Sequence, residues 1–99
     1  MVERWRPLVA HHFPAELVDQ ALAVIAGESL GDPAIVNPLN GTAGLFQHLP
    51  RYWPERAAAA GFPGATPDDG EANIAAAAWL VGESVGSGLG PWFFWACQP

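Results

Sequence analysis

The chain has no lysine and only four arginines, set against ten acidic residues, for a net charge of −6. A nucleic-acid partner needs a basic patch to meet phosphates, and none can be assembled from so few cations. One cysteine, Cys97, excludes an internal disulfide and is silent on compartment. The longest uninterrupted apolar run, residues 74–81, is 8 residues, against the ~20 that a membrane span requires. No charged segment followed by an apolar one opens the chain, so no signal peptide is visible. His11, His12, His48 and Cys97 match no standard zinc spacing, and neither a metal nor a cofactor is expected. What the chain does have is a hydrophobic content of 51%, which argues against disorder. Its 99 residues suit one small domain, residues 1–99, with a modest core.

Along the chain, residues 1–13 lack clean periodicity, although Trp5, Leu8 and Val9 suit a short helical face with Pro7 near its start. The first firm helix starts near Pro14. Leu17, Ala21, Val24, Ile25 and Glu28 are linked by i+3 and i+4 spacings and share a face, until Gly31 and Asp32-Pro33 stop the helix. Residues 31–49 carry Gly31, Pro33, Pro38, Asn40-Gly41 and Gly44, which is turn chemistry with room for a minimal hairpin. A second helix is expected over residues 50–61, with Pro54 at its first position, Gly61 at its stop and Trp53 as a staple. Thr66-Pro67-Asp68-Asp69 reads as a capping box, with Thr66 as N-cap of an alanine-rich helix to about Ser84. Residues 91–97, PWFFWAC, are too apolar for solvent and are expected to pack back as a short helix. The fold class is therefore mainly α: a small helical domain with a Gly-rich loop or minimal hairpin after the Glu28 helix.

Residues 27–50 carry the chemistry. Glu28 continues an apolar stripe, so its carboxyl group is partly desolvated. Desolvation disfavours the charged form and raises the pKa, as a general acid working at neutral pH requires. A buried carboxylate that merely caps a loop would occupy the same position. The loop that follows favours catalysis. Gly41 and Gly44 permit close backbone approach, Asn37, Asn40 and Gln47 offer amides that donate and accept, and Phe46 offers a flat apolar face. Together these suit the hydroxyls, N-acetyl groups and ring face of a sugar.

Glu28-Ser29, Asn37-Pro38, Gly41-Thr42-Ala43-Gly44-Leu45-Phe46-Gln47 and Pro50 together resemble the signature of the lysozyme-like lytic transglycosylases. Asn73-Ile74 in its alanine-rich helix and the terminal Pro91-Trp92 are similar to actinobacterial and phage members. The resemblance spans roughly residues 14–96. It implies a lysozyme-like α+β fold with Glu28 as acid and base, and a substrate-binding cleft involving Asn37, Gly44, Phe46, Gln47 and Trp92. It further implies cleavage of the β-1,4 bond between N-acetylmuramic acid and N-acetylglucosamine, closing a 1,6-anhydro ring without water. Three features depart from the pattern, one being a spacing between Asn37 and Gly44 one residue longer than the commonest. Asn37 stands where many relatives have serine, and Tyr52, the single tyrosine, comes too early to be the tyrosine that relatives place near the acid.

No obvious second carboxylate accompanies Glu28. Asp32 lies beyond the helix end, Asp68, Asp69 and Glu71 suit a helix start, and Glu83 shares a stripe with Ala76, Trp79 and Leu80. A hydrolase would more often use such a partner, so transglycosylation is favoured. The alternatives are a muramidase on the same fold and a catalytically silent wall-binding or phage structural module. Trp79 is expected in the core. Trp92 and Trp95 are each weighed between stacking on sugar and packing, and His48 is expected at the surface. The expected partner is the glycan strand of peptidoglycan, met at the cell wall by an extracellular or phage-delivered chain. Because a charge of −6 provides no steering toward an anionic wall, a fused or associated targeting domain is also expected.

Overall fold

The computed structural model describes residues 2–99 and is mainly helical. Helix α1 spans Arg6–His12, α2 spans Val18–Ser29, α3 spans Trp53–Ala59 and α4 spans Gly70–Gly86. Single 3₁₀ turns, Glu3–Trp5 and Ala15–Leu17, lead into the first two. Pro7 sits in the first turn of α1, where its missing N–H costs nothing. Pro14 caps the second 3₁₀ turn, so α2 proper begins four residues after it. The expected stripe is present: Ala21, Val24 and Ile25 are fully buried, and Ser29 closes the helix. Leu30 then adopts a left-handed conformation (φ 57°), and the Trp5 indole donates to the Gly31 carbonyl at 2.9 Å, holding the helix end in place.

Residues 31–52 contain no strand among the described residues. Ala43 forms isolated antiparallel bridges with both Val36 and His48. Asn37 N–H donates to Thr42 O, and Gly41 N–H donates back to Asn37 O, each at 2.8 Å. The turn expected around Asn40-Gly41 is present, closed by isolated bridges and not by paired strands.

The loop is fixed from below by Asn73, a fully buried side chain on α4. Its Oδ1 accepts the Phe46 N–H at 2.8 Å, and its Nδ2 donates to Ala43 O at 3.2 Å and Pro67 O at 2.9 Å. Ser29 supplies a second tie. Its hydroxyl lies 2.9 Å from Leu45 O and 3.1 Å from Ile25 O. Gly44 (φ 82°) runs so close to this clamp that a Cβ would fall 2.1 Å from Asn73 Nδ2 and 2.3 Å from Pro67 O. The glycine is required by both its conformation and its lack of space.

The main core lies between α1, α2, α4 and the loop. Phe13 stacks on Phe46 and on Trp92 with centroids 5.8 Å apart in each pair, and Trp95 meets Phe46 edge-on at 6.0 Å. A smaller cluster forms where Trp53 and Ala57 of α3 meet Ala72 and Ala76 of α4. The small alanine side chains let these two helices approach closely. Trp79 is half-buried and packs against the main core.

Three local expectations are corrected. The helix start at Thr66 gives way to Asp69, whose Oδ1 accepts the Ala72 N–H at 3.0 Å. Thr66 instead bonds the Asp68 side chain, and its carbonyl takes the Asp69 N–H at 3.0 Å, closing a turn before the helix. Trp53 is not a staple outside α3 but its first residue, and its indole donates to Ala65 O at 2.8 Å. Residues 91–97 pack back as expected, yet through turns and not a helix. Trp92 and Trp95 are turned inward and Phe93 and Phe94 outward, the i, i+3 division a helix would also give, here made by successive turns.

Candidate active-site cleft

The end of α2 and the clamped loop enclose a cleft of about 560 Å³. Gly27 and Glu28 come from the helix, and Asn37, Asn40, Thr42 and Gln47 from the loop. Arg56 of α3 and Leu80 of α4 contribute from the remaining helices. Phe94, Trp95 and Ala96 form the wall supplied by the last segment. That wall sits very close to α2: a Cβ on Gly27 would fall 2.0 Å from Cys97 Sγ.

Glu28 is half-buried on this surface. Burial holds its carboxyl above the usual 4.5, and the backbone N–H of Cys97 acts in the opposite, weaker sense. No cation lies within ion-pair distance of it among the described residues; the pairs present are Arg6 with Glu3 and Asp19, and His12 with Glu71. Glu28 is also the one carboxylate lining the cleft among the described residues. Asp32 is exposed and accepts the Ala34 N–H at 2.9 Å, and Glu83 is exposed outside the cleft.

Of the residues expected to bind substrate, Asn37 and Gln47 line the cleft and the other three support it. Phe46 is fully buried in the aromatic core, so its ring offers no face to a ligand. Trp92 is buried beside it, with its indole donating to Gln20 Oε1 at 2.8 Å. Gly44 faces Asn73 and a separate hollow with Pro67 and Asp68. The Gln47 amide is already engaged: Nε2 donates to Gly44 O at 2.9 Å and Ile35 O at 3.2 Å, and Oε1 lies 2.9 Å from the Thr42 hydroxyl. Its role is to shape the loop, at the cost of a left-handed backbone (φ 55°). Asn37 and Asn40 use their Oδ1 atoms to accept local backbone N–H groups, which leaves their amide nitrogens as donors. Trp95 borders the cleft but is buried, its indole donating to Phe46 O at 3.0 Å, which favours packing over stacking on sugar.

Sequence reasoning missed Arg56. The signal was available, since Trp53, Arg56, Ala57 and Ala60 recur at i+3, i+4 and i+7, placing a cation on the apolar stripe of α3. Arg56 Nη1 donates to His48 Nδ1 at 3.0 Å, and His48 Nε2 lies 3.2 Å from Asn73 O. A carbonyl partner on Nε2 and a permanent donor on Nδ1 assign His48 as the neutral tautomer carrying its proton on Nε2. The expectation of a surface histidine is overturned: His48 is fully buried, and burial, followed by the Arg56 charge, depresses its pKa to about 4.

That depression has a measurable consequence. The native state resists protonation of His48 below the ordinary 6.5, whereas the unfolded state accepts the proton. The stabilisation is complete above pH 6.5 and is lost as pH falls toward about 4. The loss is about 3 kcal/mol. Chemical denaturation across this window should show it, and His48→Gln should remove most of that slope.

His11, His12 and Glu71 bring ligand-type atoms within 4.8 Å of one another, a proximity that sequence spacing did not reveal. His12 Nε2 pairs with Glu71 Oε2 at 2.9 Å across the α1–α4 seam, and none of the three borders the cleft.

Comparison of the chain with family models, curated proteins and solved structures finds no match.

Proposed function

We propose that this chain has a lysozyme-like fold and cleaves the β-1,4 bond between N-acetylmuramic acid and N-acetylglucosamine in peptidoglycan by lytic transglycosylation. The observation that carries the reading is Glu28, a desolvated carboxyl group and the one carboxylate of its cleft among the described residues. The cleft volume of about 560 Å³ falls within the range of small-ligand sites. The Asn37 and Asn40 amides suit hydroxyl and N-acetyl groups, while Phe94 offers exposed apolar surface to a sugar ring.

Burial favours the protonated form of Glu28, the form a general acid needs. The acid gives its proton to the bridging O4 as the bond from the muramic C1 breaks. The resulting carboxylate takes the proton of the muramic C6 hydroxyl, and O6 bonds to C1. Glu28 ends protonated as it began, no water is consumed, and the product carries a 1,6-anhydro ring. The absence of a second cleft carboxylate among the described residues supports this route over two-carboxylate hydrolysis. The muramidase and silent-module readings become outcomes of the test.

Mass spectrometry of muropeptides released from purified walls decides among the three. Anhydromuramic ends are expected. Reducing ends alone would reassign the chain as a muramidase, and an unchanged wall would leave a binding or structural module.

A further inference from the structure

We infer that Arg56 is a specificity residue for a carboxylate carried on the glycan, the lactyl carboxylate of denuded muramic acid or a carboxylate of its stem peptide. This rests on the proposed glycan-cleaving function and extends it to the charge of the substrate.

Arg56 is one of four cations in a chain of net charge −6. The other three lie outside the cleft: Arg6 is bound by Glu3 and Asp19, Arg4 lies over Trp5 at 4.8 Å, and Arg51 lies over Tyr52 at 4.8 Å. Arg56 alone lines the cleft, is half-buried, and has no carboxylate within ion-pair distance among the described residues. One of its N–H groups is spent on neutral His48, and its plane lies over Tyr52 with 5.1 Å to the ring centroid. These contacts fix the guanidinium and neutralise none of its charge. A partly desolvated, unpaired cation is costly unless a ligand supplies the counter-charge. A guanidinium's fork geometry suits a carboxylate. Its position in the same cleft as Glu28 puts that carboxylate on the bound glycan.

The Glu28→Gln protein supplies a non-cleaving receptor for equilibrium titration. Five ligands of equal length separate the possibilities: chitotetraose, denuded glycan strands, the same strands with lactyl carboxyls reduced to alcohols, peptide-bearing strands, and peptide-bearing strands with amidated peptide carboxyls. Adding Arg56→Gln should weaken binding of the carboxylate-bearing ligand about tenfold or more, as expected for loss of one charge-assisted pair. It should change chitotetraose binding less than about threefold, and Arg56→Lys should restore part of the loss. Sensitivity to lactyl reduction assigns the lactyl group, and sensitivity to amidation assigns the peptide. Equal weakening for neutral and acidic glycans, with an unchanged melting temperature, would overturn the inference while leaving glycan binding intact. Absence of binding to every glycan would instead sink the functional reading on which it rests.

Discussion

Replacing Glu28 with glutamine should abolish wall lysis and make the protein more stable at neutral pH. Gln keeps the shape of the side chain but cannot donate and then recover a proton. Loss of a general acid costs about 10²–10⁴-fold in rate, and here one group serves both proton transfers, so the upper part of that range is expected in zymography. The stability change follows from burial. The native state prefers protonated Glu28, so wild-type stability declines as pH rises above the ordinary 4.5, whereas a neutral amide has no such dependence. Melting temperatures should therefore diverge in favour of Glu28→Gln at neutral pH and converge in acid. A variant that keeps lytic activity would remove Glu28 from the mechanism. One that loses both activity and fold would show that Glu28 is structural.

The second large effect concerns Asn73. Asn73→Ala removes three hydrogen bonds and leaves the Phe46 N–H and the Pro67 carbonyl without partners beneath the loop, while Ala43 O keeps the His48 N–H. Each unsatisfied buried group costs about 1–3 kcal/mol, so a total near 4 kcal/mol is expected even with partial relaxation. For a domain of this size that corresponds to a fall in melting temperature of about 15–30 °C. Hydrogen exchange at the Phe46 amide should accelerate with it, because Asn73 is its acceptor. A fall of only a few degrees, with Phe46 still protected, would mean that water or another side chain can replace the clamp. Activity should be lost at temperatures where the helices still give a normal circular dichroism spectrum, since the loop wall goes first.

The position of Glu28 was legible because helical periodicity is a local property: five residues at the right spacing define a face without reference to the rest of the chain. The Asn40-Gly41 turn was legible for the same reason. The roles of Phe46, Gly44 and Trp92 were not. An aromatic residue in a turn has no period, and which side of the loop it faces is decided by Phe13 and Trp92, far away in sequence. Asn73 looked like one polar residue in an apolar helix. Its function as a clamp depends on three carbonyl and amide groups supplied by segments elsewhere. His48 was misread because the partners that allow its burial, Arg56 and the Asn73 carbonyl, are likewise outside any local window. Arg56 could have been found by the argument that found Glu28, since both are charged residues on an apolar stripe.

The ties that shape the cleft also set an order of assembly. Asn73 reaches Phe46 across 27 positions, Trp95 reaches the Phe46 carbonyl across 49, and Trp92 reaches Gln20 across 72. Each closes a large loop of chain, whereas α1 with α2 and α3 with α4 join near neighbours. Loop-closure entropy delays the first kind of contact relative to the second. In synthesis or refolding the α1–α2 and α3–α4 pairs are expected to form before these ties and the α1–α4 seam, and so before the cleft is complete. The activity proposed for Glu28 would then depend on the contacts that form last.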